Sequence, residues 1–129
     1  MTIEIISRAS RYTDHIAAID KSGSHTYSEI LNLANSIANK LLANKNDLKE
    51  ERILFMIAPG HKYIATQWGI WIAGGIAVPI ALSHPAEEIN HIIKDTSSNK
   101  IILDPHTPFF ICFRGGRPKK IIFKMKSKE

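Results

Sequence analysis

The sequence predicts an α/β chain, part of a doubly wound parallel sheet, and three observations carry that prediction. Short apolar runs lie at about 52–57, 76–80 and 100–103, helical periodicity fills the two intervals between them, and the links are short. Strand, helix, strand, helix, strand in that order is a βαβαβ unit with right-handed crossovers. The 129 residues are one domain's worth, and 44% hydrophobic with 22% charged content excludes wholesale disorder and a fibrous repeat. Charges or Pro interrupt every apolar run well short of the ~20 residues of a membrane-spanning helix.

Taken in order, Met1 to Ser10 offers no clear address. It lacks the apolar core of a secretory signal, while Arg8 and Arg11 with Ser7 and Ser10 could be the short remnant of an organellar presequence. A cytoplasmic location is the default, with mitochondrion and peroxisome left open. Ile16 to Asp20 reads as a strand running into a turn centred on Gly23. Thr26-Tyr27-Ser28-Glu29 has the spacing of a capping box, so a helix starts there with Tyr27, Ile30, Leu31, Ala34, Ile37, Ala38 and Leu41 as its inward stripe. Ile53 to Ile57 is continuous and apolar, as a strand covered on both faces is, and Ala58-Pro59-Gly60 ends it.

The next helix, about Lys62 to Ala73, closes on Gly74-Gly75, the place of a left-handed cap. Ile76 to Ile80 is a second strand, and Pro79 makes its end an edge or a departure point. A further helix follows from about Pro85 to Thr96, with Glu87 and Glu88 complementing its dipole, and Lys100 to Leu103 is the third strand. Residues 1–106 thus form the structured part. The tail 107–129 is basic and irregular, although Lys120 to Met125 could extend.

The helix at 62–73 has an unusual surface. Only Lys62, Thr66 and Gln67 are clearly polar, and Trp68, Ile70, Trp71 and Ile72 point in several directions. A helix apolar nearly all round is a buried helix, and this chain is short of material to cover it. Either one flank stays bare, or the N-terminal hairpin and the helix from Thr26 wrap it completely.

Charge separates along the chain. Residues 107–129 hold seven basic residues and one acid, a balance of +6, whereas 1–106 hold ten basic and eleven acidic residues, a balance of −1. The globular part is therefore neutral. The basic tail suits weak binding to an anionic surface rather than specific nucleic-acid recognition. His61, His84, His91 and His106 are dispersed, with no Cys or second His at ligand spacing, so they read as solvent-facing or capping residues and no metal site is expected. Glu87 and Glu88 point about 100° apart on a helix and do not form a catalytic pair. Cys112 lies in the apolar run Phe109 to Phe113, an inert setting, and that run is β-prone and suited to pairing with a sheet edge.

Several separated blocks agree in order and spacing with one family. Thr26-Tyr27-Ser28-Glu29-Ile30, Ala58-Pro59-Gly60, the stretch from Gln67 to Ile80, and His84-Pro85-Ala86-Glu87-Glu88-Ile89 with Asp95 resemble the N-terminal part of the AMP-forming acyl-CoA synthetases, over about residues 5–104. Ala77 to Pro85 is most similar to malonyl-CoA synthetases. The resemblance implies a family chemistry in which ATP activates a carboxylate, pyrophosphate leaves, and the acyl group passes to coenzyme A, with Mg²⁺ as a further requirement. It also implies a Ser/Thr/Gly-rich phosphate loop. Gly116-Arg117-Pro118-Lys119 matches the end of that loop, but Arg114-Gly115 stands where hydroxyl residues belong and Lys120 where Gly belongs.

Gly115, Gly116 and Lys119 would be the remaining phosphate contacts, as a degenerate relic or as a chance match in a basic tail. The expectation is a truncated N-terminal segment that holds no catalytic residue, binds no cofactor tightly and does not adenylate alone. The alternative is a non-catalytic interaction module docking on a homologous full-length synthetase.

Overall fold

A computed structural model describes residues 3–98, 100–103 and 121–124. The elements run α1 (Glu4–Ala9), β1 (Ile16–Asp20), β2 (Gly23–Thr26), α2 (Tyr27–Leu42), β3 (Arg52–Met56), α3 (His61–Ile72), β4 (Ile76–Pro79), α4 (Ala86–Thr96), β5 (Lys100–Leu103) and β6 (Ile121–Lys124). The chain divides into two compact units, residues 1–50 with 59–76 and residues 51–58 with 77–129. The expected division at 106/107 falls outside the described residues.

The first unit joins a hairpin to two helices. β1 and β2 pair antiparallel, with Ala18 opposite His25 and Asp20 opposite Gly23, and the register shifts between Ile16 and Ala18. Thr26 caps α2 as the spacing predicts, its hydroxyl accepting the Glu29 N–H at 3.3 Å. The reciprocal half of the box takes another course, because the Glu29 carboxylate turns to His25 Nδ1 at 2.9 Å. The stripe of α2 is inward as expected, with Ile30, Ala34, Ile37, Ala38 and Leu41 buried. α1 was not expected, since its six residues lack the periodic length that marks a helix.

α3 begins one residue earlier than the sequence suggests and ends in a Schellman motif. The Gly75 N–H donates to Ile70 O at 2.9 Å and the Gly74 N–H to Trp71 O at 3.0 Å, with Gly74 at φ 85°. The segment after α2 docks on this end: Leu48 N–H donates to Ala73 O and Glu50 N–H to Gly74 O, both at 2.9 Å. The bare flank is small. Trp68 is 6% exposed and Ile70 is fully buried, so among the apolar side chains of α3 only Ile72, at 38%, is exposed, with Tyr63, Ile64 and Trp71 partly buried. Thr66, read as polar, is wholly buried, and its hydroxyl donates back to Lys62 O at 2.7 Å.

The second unit is a four-stranded sheet in the order β4-β3-β5-β6. β3 and β5 pair in parallel with Phe55 beside Ile102, and β5 and β6 pair in parallel with Lys100 beside Ile121. β4 is an edge strand ending at Pro79, in keeping with a residue that cannot donate to a ladder. Leu54, Met56, Ile80, Ile89, Ile101 and Leu103 form one core, with Val78, Ile92 and Ile93 packed against it. The buried Ser98 hydroxyl lies 2.7 Å from Arg52 O and 3.0 Å from Lys100 O, and Lys100 Nζ meets Glu51 Oε2 at 3.2 Å, so the entries of β3 and β5 are tied together. Within the tail, Ile121–Lys124 takes the extended form allowed for it and adds a strand to a sheet expected to have three.

Candidate functional site

The residues singled out for phosphate contact, Gly115, Gly116 and Lys119, lie outside the described residues, as do His106 and Cys112. His84 and His91 behave as surface residues of α4 and its approach. His84 Nε2 stands 3.8 Å from Glu88 and His91 Nε2 3.2 Å from Asp95, both as one-turn pairs. Glu87 and Glu88 occupy the first turn of α4, where the helix dipole favours them.

His61 departs from expectation. Instead of facing solvent, it joins Asp20 and His25 in a cluster that sequence spacing does not show. The last residue of β1 supplies Asp20, the last residue of β2 before the α2 cap supplies His25, and the first residue of α3 supplies His61. Asp20 Oδ1 accepts from the Ser22 N–H at 2.9 Å and from the Ser22 hydroxyl at 2.6 Å, the local bonding that makes Asp favourable ahead of a tight turn. Asp20 Oδ2 accepts from the His61 backbone N–H at 2.9 Å and faces His61 Nδ1 at 2.6 Å. Gly60 at the N-cap of α3 has no side chain to offer, so a carboxylate from 41 residues earlier caps this helix.

These contacts set the electrostatics. The His61 backbone N–H, with the Ser22 hydroxyl and the His61 ring next in weight, holds the Asp20 carboxyl far below the usual carboxylate range, against a smaller opposing effect of burial. A carboxyl lowered in the folded chain stabilises the fold at neutral pH, and that contribution fades as the pH falls below the ~3.9 of an unperturbed Asp. Asp20→Ala is expected to lower stability by about 1–2 kcal/mol, the cost of a lost helix cap, read as a lower urea midpoint at pH 7. An unchanged midpoint would show that the cap contributes nothing.

The two imidazoles stack, with ring centroids 3.5 Å apart and planes 14° from parallel. His25 Nδ1 faces Glu29 Oε2 at 2.9 Å, while its Nε2 faces the Ser22 hydroxyl at 2.7 Å and Asp20 Oδ1 at 3.2 Å. Ser22, His25 and Glu29 therefore stand in the order of a nucleophile, a base and an orienting acid. The chemistry does not follow. Asp20 Oδ1 sits 2.6 Å from the same hydroxyl, and a carboxylate there opposes the negative charge that an acyl-transfer intermediate develops. Carboxylates and imidazole lone pairs gathered in one place favour a cation instead. One donor atom each from Asp20, His25 and His61 lies within 4.8 Å of the others.

A sequence profile described as AMP-binding enzyme matches residues 6–121. Mitochondrial malonate–CoA ligase ACSF3 of Homo sapiens is 35% identical over 102 residues, covering 76% of this chain and 18% of that protein. Among solved structures, the nonribosomal peptide synthetase FmoA3 bound to α-methyl-L-serine-AMP superposes with a TM-score of 0.77 at 19% identity, covering 91% of this chain and 13% of that one. Apo MatB from Rhodopseudomonas palustris superposes with a TM-score of 0.69 at 19% identity, covering 81% of this chain and 22% of that one. The structural likenesses establish the fold, and the chain spans about a fifth of the length of the curated malonate–CoA ligases it matches.

Proposed function

The chain belongs to the AMP-binding enzyme family, and from that premise we propose that it is the N-terminal portion of an AMP-forming acyl-CoA ligase of the malonate-activating kind. The observation that carries this reading is the 35% identity to the human malonate–CoA ligase over 102 residues. The span matched by the family profile, residues 6–121, takes in the helix cap at Thr26, the strand at β3 and the Gly74-Gly75 turn into β4.

ATP, Mg²⁺ and coenzyme A are the family's requirements, and the complete reaction joins malonate to coenzyme A through an acyl-adenylate. Alone, this portion does not adenylate. The phosphate contacts that the resemblance assigns to it are the amides of Gly115 and Gly116 with Lys119, and no Ser/Thr hydroxyls accompany them. The mitochondrial designation of the relatives supports the same location for this protein.

Pyrophosphate exchange tests both parts. The purified chain with malonate, ATP and Mg²⁺ is expected to exchange no more label than a protein-free blank. A chimera of the human ligase carrying residues 5–104 in place of its matched segment is expected to keep malonate-dependent exchange within about tenfold, ~1.4 kcal/mol of barrier. Robust exchange by the chain alone would overturn the non-catalytic reading. A folded chimera active on other acids but not on malonate would overturn the malonate assignment.

A further inference from the structure

We propose that Asp20, His25 and His61 form a binding site for a late first-row divalent cation of the zinc class, which clips the β1–β2 turn to the first residue of α3. Two imidazoles and one carboxylate are a donor set that Zn²⁺ and its neighbours take readily, with water completing a fourth position. The three side chains come from separate elements of one compact unit, and each is 13–16% exposed, mostly shielded yet open to an entering ion.

The nitrogens are placed for the purpose. Because His25 Nδ1 faces Glu29 Oε2 at 2.9 Å, Nε2, 3.2 Å from Asp20 Oδ1, is the nitrogen left to take the ion. A carboxylate behind the far nitrogen fixes the tautomer of a ligating imidazole, which is the part Glu29 plays here. His61 Nδ1 approaches the other carboxylate oxygen. Donor atoms in a tetrahedral zinc site lie roughly 3.3 Å apart, from bonds of about 2.0–2.1 Å. The present separations, from 2.6 Å between His61 Nδ1 and Asp20 Oδ2 up to a limit of 4.8 Å for the set, bracket that value. Ligation turns the stacked rings so that their lone pairs converge, and the proton between His61 Nδ1 and Asp20 Oδ2 is released to water as the metal takes its place. Because Ser22 also holds the carboxylate, the aspartate stays oriented while the rings move.

Calorimetric titration of the full chain with Zn²⁺, alongside the visible spectrum with Co²⁺, tests the site. One equivalent is expected to bind, with the intense absorption of a four-coordinate Co²⁺ ion, and His25→Gln or His61→Gln is expected to weaken binding by about tenfold or more. His91→Gln, which removes a 73% exposed histidine paired with Asp95 on α4, is expected to leave it unchanged. Should the first two variants fail to fold, the unmodified chain decides by diethyl pyrocarbonate labelling and peptide mass mapping. Zn²⁺ is expected to protect His25 and His61 and leave His84 and His91 reactive. No binding by the unmodified chain, binding untouched by His25→Gln and His61→Gln, or protection at His84 and His91 instead would overturn the proposal.

Discussion

Phe55→Ala is expected to destabilise the fold by about 3–5 kcal/mol, a large share of the roughly 5–15 kcal/mol that holds a domain folded. Phe55 is wholly buried in β3 and lies beside Ile102 of β5 in the parallel register. Successive strand residues face opposite ways, so Phe55 shares with Ile53 the face turned away from the core built on Leu54 and Met56. Both faces of β3 are buried, leaving no solvent side toward which the site can relax after truncation. The cost joins the transfer term of the lost ring to the cavity it leaves. Phe55→Leu, closer in volume, is expected to cost under about 1.5 kcal/mol. Urea unfolding followed by circular dichroism measures both, and a loss below about 1 kcal/mol for Phe55→Ala would mean that β3 is not a core strand.

The second large effect is expected at Gly69, where α3 crosses α2. A Cβ added there would stand 2.8 Å from Ala34 O and 2.9 Å from Ile37 Cβ and Cγ2. The first of these is backbone, which no rotamer change can move aside. Gly69→Val adds two further methyls to that contact and is expected to cost about 3 kcal/mol, the upper part of the range for overpacking. Gly69→Ala gives a sharper test of sign. In an open helix it would raise stability by about 1 kcal/mol through propensity, whereas here it is expected to lower it. A rise in the urea midpoint for Gly69→Ala would show that the two helices do not approach as closely as described.

Local chemistry made much of this fold legible. Thr26 announced the start of α2, Gly74-Gly75 the end of α3, and the apolar runs the strands β3, β4 and β5, because caps, turns and periodicity act over a few residues. Where one local signal had two outlets, the sequence was ambiguous. Glu29 fits a capping box, yet its carboxylate goes to His25, a choice decided by a hairpin that brings the ring within 2.9 Å.

The histidine cluster was illegible for a stronger reason. Asp20 and His61 are 41 positions apart, and their meeting depends on how the hairpin folds against the start of α3. Ligand spacings along a chain reveal sites built on one element, not sites assembled from three. A faint signal did exist: an Asp ahead of Ser22-Gly23 offers a carboxylate at a turn, and a helix opening on Pro59-Gly60 has no side-chain cap of its own. Together they pose a question of where the His61 N–H finds its partner.

The division of the chain into residues 1–50 with 59–76 and 51–58 with 77–129 carries a consequence for synthesis. The two bodies interleave along the polypeptide, so neither can be excised as one unbroken stretch. As the nascent chain leaves the ribosome, the inward stripe of α2 emerges well before α3, its companion within the same body, and must wait with its leucine and isoleucines uncovered. A stop just after residue 56 would release a chain with the larger part of one body and a lone strand of the other, a natural client for chaperones and proteases.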